Sequence, residues 1–296
     1  MSNRPEEIKN ELQGDGYLKD LRERVNESVQ ETSEKAIEKF EENNREITAE
    51  YLQNHFSEVI IGLIGYETDI FESRSNEVYP QALVKFLEEE YNSGQATVSS
   101  YAKSGDPELT EYSAIRETFR DIEQEFNAHD DFSEVFKRAI PELYYLIKPI
   151  VQSAGQSSFK RAGGAFRQQF INLVEISGYN LRSQTSEGSG YILIFSPENE
   201  DEAKEIYFGF HTTLKDRFRA TLPGPDNMPN YLVTAAGADA ISNNDSEDIT
   251  ADRLDQIADA GAKLIAIDKE ADRYPNRNKI ISYETFITEE LPSYFD

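Results

Sequence analysis

Cysteine and tryptophan are absent from this 296-residue chain, and histidine occurs only three times. Without cysteine there is neither a disulfide framework nor a thiolate metal site. No apolar run reaches 18 residues, so a transmembrane helix is not expected. The opening residues, MSNRPEEIKNELQ, are polar and acidic, unlike a signal peptide, and a cytoplasmic location follows by default. Cations are scarce: 30 Lys and Arg face 56 Asp and Glu, a formal net charge of −26.

The chain nevertheless carries 16 Tyr and 17 Phe, too many for a disordered polyanion. A folded, strongly acidic protein suits molar salt, which screens self-repulsion while surface carboxylates hold water. An acidic protein of ordinary salt is the alternative. A nucleic-acid partner is still allowed, but its binding face must be a local basic island, leaning less than usual on counterion release.

Residues 1–155 read as helices. Leu18, Leu21, Val25 and Val29 recur on one helical side, as do Phe56, Val59, Ile60, Leu63 and Ile64. Pro80 fits the first turn of a further helix, Gln95–Gly105 reads as a loop, and Pro141 predicts a kink. TEYSAIRETFRDIEQEF reads as another helix; His55 and His129 are isolated. This half reads as a scaffold for oligomer contacts or for clasping a partner. At Ser153–Ser158 the texture changes, and Ser157 or Ser158 can cap a new helix. That helix carries Lys160, Arg161 and Arg167 with few acids, a basic island in an acidic chain. Gly163 and Gly164 within it cost about 1 kcal/mol each relative to Ala. Close approach of a backbone or phosphate, or plain helix packing, would account for them.

Residues 156–296 read as α/β. GYILIFSP (190–197) and EIYFGFHTT (205–213) form a hairpin-like pair, NYLVTAAGA (230–238) is a third strand, and ITADRLDQIADAGAKLIAI is helix, Gly261 stop and strand. Apolar strands on either side of a helix imply a mixed sheet, and ISYETFITEELPSYF closes as a helix. The strand from Glu205 runs into Thr212 or Thr213, either of which can cap a helix bearing Lys215, Asp216, Arg217 and Arg219. Four charges at the end of a buried strand mark the place to look for function.

Four segments of this half, in order over about residues 158–291, resemble the EcoRII-type restriction endonucleases of the PD-(D/E)xK fold. They are Arg161–Phe166 (RAGGAF), HTTLKDRFRATL, NYLVTAAGADAI with the helix and strand after it, and Arg273–Glu290. The resemblance implies a restriction-endonuclease-like mixed sheet flanked by helices and does not cover the helical N-terminal region that precedes it. It also implies cleavage in which two carboxylates hold Mg²⁺ on the scissile phosphate and a Lys assists the attacking water. This chain departs at each critical place. Arg167 stands where the helix Glu belongs, Tyr191 (or Leu193) where the strand Asp belongs, and His211 where the Lys belongs; the Arg is retained as Arg217.

Three readings follow. In the first, the chain binds double-stranded DNA as a homodimer without cleaving it or holding metal. Arg167, Lys215 and Arg217 surround a phosphate, His211 donates to it, and Lys160, Arg161, Arg219 and the loop 221–230 supply further contacts. In the second, an active Mg²⁺-dependent endonuclease uses migrated groups: Glu187 or Glu175 as ligand and His211 as base, with Lys215 and Arg217 in the site. In the third, the fold is a scaffold for protein assembly and its cations are solvated.

Overall fold

The structure is a computed structural model that describes residues 7, 28–104, 121, 124, 132–183, 189–195, 203–214, 230–237, 248–274 and 278–295. Helix α1, Val29–Asn43, starts at a capping box: the Ser28 hydroxyl accepts from the Glu31 amide, and the Glu31 carboxylate accepts from the Ser28 amide. It buries Ala36 and Phe40. Helix α2 covers Ala49–Ser104, with non-helical backbone at His55. Helix α3 covers Phe132–Ile176.

Three expected breaks are absent: Gln95–Ser104 continues α2 instead of forming a loop, and α3 does not restart at Pro141 or at Ser153–Ser158. Ser and Gly weaken a helix without forbidding it, while Ala and Gln favour one, so neither stretch compels a break. The helix expected around Thr110–Phe126 lies outside the described residues apart from Asp121 and Gln124, and His129 lies outside them too.

Six strands make one sheet in sequence order: β1 (Asn180–Ser183), β2 (Ser189–Phe195), β3 (Ala203–His211), β4 (Asn230–Thr234), β5 (Lys263–Ala266) and β6 (Ile280–Ser282). β1 to β3 pair antiparallel and β3 to β6 parallel. The expected β2–β3 hairpin and the β4–helix–β5 unit are both present. The crossover helix α4, Ala251–Asp259, is capped by the Thr250 side chain, and Gly261 turns the chain at φ +75°. The edge strands were not expected. β1 is the polar tetrapeptide NLRS, and β6 takes the first residues of the segment read as the closing helix. After β6 and the short helix α5 (Asp268–Ala271) that precedes it come one helical turn at Tyr283–Thr285, a π-helical turn at Phe286–Glu290 and a 3₁₀ turn at Pro292–Tyr294.

Strand alternation divides the core. One face of the sheet carries Ile206, Phe208, Phe210, Tyr231, Val233, Ile265 and Ile281 against Phe166, Phe170, Phe56 and Tyr283. The other carries Leu232, Leu264, Ala266 and Ile280 against Leu254 and Ile257 of α4. By contacts the chain forms two compact units: residues 1–27 with 71–159, and residues 28–70 with 160–296. The sheet's unit thus takes α1 and the first part of α2 from the region expected to be a separate helical domain ending near residue 155.

Candidate functional site

The C-terminal part of α3 supplies the basic island, and its contacts assign its sides. Phe166 and Phe170 face the sheet, with ring centroids 6.1 Å and 5.4 Å from that of Phe210. Gln169 donates to the Leu63 carbonyl of α2, and Arg161 Nη2 lies 2.8 Å from Glu67 Oε1 on the same helix. Asn172 donates to Ser33 of α1. Helical register leaves positions 160, 163 and 167 together on the remaining side. A side chain at Gly163 would meet nothing, and one at Gly164 only Val29 in ordinary contact. Helix packing therefore does not require glycine at 163.

Arg161 and Arg167 differ in setting. Arg161 is buried in its pair with Glu67, whose pKa burial raises while Arg161 pulls it back down. Arg167 is half-buried; burial lowers its pKa, yet a guanidinium stays charged. Glu67 escaped the sequence reading, although its signal is present: it sits four residues after Leu63 and seven after Ile60, an acid on an apolar helical side.

His211 ends β3, in register with Thr234, and its carbonyl accepts from the Ala235 amide. Burial lowers its pKa below the ordinary 6.5, so the imidazole is neutral at pH 7. Phe208 and Phe210 face α3, so alternation turns position 211 to the other side of the pleat. Register pairs position 191 with Tyr207, four residues before His211, so 191 and 211 share that side. Position 167 follows Phe166, whose ring meets Phe210 on the opposite face of the sheet from position 211.

Glu175 is exposed near the end of α3; burial of part of its carboxyl raises its pKa, and a hydrogen bond from the Leu181 backbone lowers it. Lys215, Arg217, Arg219, the loop 221–230 apart from Asn230, Glu187 and the side chains of Lys160, Tyr191 and Leu193 lie outside the described residues. Among the described residues no three His, Asp or Glu side chains gather as a metal site. A cleft of about 270 Å³ between Gln53, Tyr179 and Thr288 is lined by no carboxylate, imidazole or cation.

Polar networks elsewhere hold the sheet. Glu284 accepts from the Ser57 amide and hydroxyl, at 2.6 Å and 2.9 Å, while Ser57 Oγ accepts from the Asp268 amide. Tyr231 and Lys263 both donate to Glu290, at 2.7 Å and 2.6 Å, and Tyr231 shares a 2.5 Å contact with Tyr294.

No protein-family signature and no characterised protein sequence matches the chain. Among solved structures it resembles metal-depleted Ecl18kI, a type II restriction endonuclease, in complex with uncleaved, modified DNA. The TM-score is 0.59 at 16% identity, covering 99% of this chain and 86% of that one. A second structure, metal-depleted Ecl18kI with uncleaved DNA, gives the same TM-score and identity over 99% and 84%. The fold is therefore restriction-endonuclease-like: helices with a mixed six-stranded sheet, behind a helical N-terminal region.

Proposed function

We propose that this protein binds double-stranded DNA as a homodimer and does not cleave it. The observation that carries the reading is Arg167: a half-buried guanidinium on the helix that packs over β3, in a fold whose solved relative is held on DNA. A fixed guanidinium takes a phosphate bidentately without a metal. Mg²⁺ wants hard oxygen ligands, and Arg167, His211 and Tyr191 or Leu193 do not offer them, so the residues at these positions do not fit the ion. Lys160, Lys215, Arg217 and Arg219 supply the remaining cations. Arg161 acts indirectly, its charge being committed to Glu67. A two-fold DNA site is met by two copies of the chain.

The test is a gel-shift of the full chain on duplex DNA in Mg²⁺ and in chelator, beside a plasmid cleavage assay at high salt. Equal affinity in both buffers with intact plasmid is expected. Discrete fragments in Mg²⁺ would establish the endonuclease reading, in which Glu187, Glu175 and His211 replace the usual groups. Absence of any shift would leave the fold as an assembly scaffold.

A further inference from the structure

We infer that Gly163 is the point where the sugar-phosphate backbone of bound duplex DNA comes closest to α3. The inference rests on the DNA-binding reading above and names the residue that sets how near the strand lies. Glycine weakens a helix interior, so a helical glycine calls for a reason. Gly62, Gly65, Gly163 and Gly164 all lie inside helices. Two have a neighbour: a Cβ at Gly62 would lie 2.7 Å from the Phe40 ring, and one at Gly164 would touch Val29 at 3.5 Å. A Cβ at Gly65 or at Gly163 meets nothing within 4 Å. Packing therefore does not ask for glycine at either place, and close approach of another molecule is the remaining use of a bare helix surface.

Charge separates these two positions. Gly65 is followed by Asp69 and Glu72, four and seven residues on, whereas Gly163 stands between Lys160, three before it, and Arg167, four after it. Helical register puts each set on one side of its helix. Positions 160 and 167 are two turns apart, about 10 Å along the axis. A polyanion is repelled from the bare surface at Gly65 and drawn to the one at Gly163. Size then selects the part of the DNA that touches. Without a side chain, position 163 reads no base edge, and the amide of an interior helical residue is already bonded, so the glycine supplies room alone. A small free anion would sit at either cation without needing that room. A strand of linked phosphates lying along the helix does need it. A methyl at 163 would hold the strand off by about 1.5 Å, the length of a carbon–carbon bond. That carries the phosphate out of hydrogen-bond reach of Arg167, which is half-buried and has little freedom to follow.

The test compares the full chain with Gly163→Ala, Gly163→Leu and Gly65→Ala. Each is titrated on one duplex by fluorescence polarisation over a range of salt concentrations, and each is unfolded in urea. Gly163→Ala and Gly65→Ala should both resist urea better than wild type, because each removes a glycine from a helix. Gly163→Ala should bind about tenfold more weakly, and Gly163→Leu more weakly still. The salt dependence of both should be shallower, by about one phosphate contact. Gly65→Ala should bind within about twofold of wild type. A gain in stability joined to a loss in affinity, at 163 and not at 65, is a combination that a purely structural glycine does not give. If Gly163→Ala binds as wild type does, if Gly65→Ala loses as much affinity, or if Gly163→Ala is less stable or fails to fold, this inference is overturned while the DNA-binding reading stands. If wild type itself binds no duplex, both are overturned.

Discussion

Arg161 and Glu67 form an ion pair in which both side chains are 6% exposed, with Nη2 2.8 Å from Oε1. The pair locks α3 to α2 inside the unit that holds the sheet. Removing one member leaves the other charged group buried without this ion-pair partner, a loss of about 3–5 kcal/mol. Arg161→Met and Glu67→Leu should each lower the unfolding free energy by about that amount. The double variant, with two apolar groups of similar size, should recover most of it. Urea unfolding of the four proteins closes the cycle; simply additive losses would show that the two groups are not coupled.

Glu290 gives a pH dependence of known sign. Burial raises its pKa, but hydrogen bonds from Lys263 and Tyr231 outweigh it and hold the group below the ordinary 4.5. A carboxyl whose native pKa is depressed adds stability above pH 4.5 and loses it as pH falls through the native value. Thermal unfolding between pH 5 and pH 3 should therefore show wild type losing more stability than Glu290→Gln. At pH 7 the variant should be weaker by about 1–2 kcal/mol, the scale of hydrogen bonds to a charged acceptor, trimmed for the group's partial exposure to water.

Two helical glycines should respond to alanine with opposite signs. At Gly62 a new Cβ would lie 2.7 Å from the ring of Phe40, which is buried and hemmed in. Gly62→Ala should cost about 1–3 kcal/mol through overpacking. At Gly163 nothing lies within reach, and Gly163→Ala should stabilise by up to about 1 kcal/mol. Melting temperatures of the two variants decide it; a loss at Gly163 would mean that the helix there needs its glycine for packing.

These positions show what the sequence could reveal and what it could not. Period-two alternation in Ile206, Phe208 and Phe210 located β3, and apolar runs around the α4 helix located the parallel pair, because burial writes itself into those residues. The edges were illegible for the opposite reason. β1 has one apolar residue in four, and β6 has two apolar residues that belong equally to a helix. Helix ends misled because serine at Ser157 and Ser158 suits a cap and tolerates a helix interior; packing by the rest of the chain decides between them. Arg161 looked like part of a surface island because its partner, Glu67, is 94 positions away, a distance across which sequence pattern carries no pairing information.

His211 should report DNA binding through protons. Burial lowers its pKa, so the unfolded chain takes up the proton first, and stability should fall as pH drops below 6.5. A DNA phosphate beside the ring would oppose that fall, because an anion within a few ångströms favours the imidazolium. Fluorescence-polarisation titrations on one duplex should then show affinity constant between pH 8 and 7 and rising below about pH 6. His211→Gln, which keeps a donor but cannot charge, should remove the rise at low pH while leaving affinity at pH 7.5 within about threefold. A rise of equal size in the variant would assign the proton to another group and take His211 out of the DNA interface.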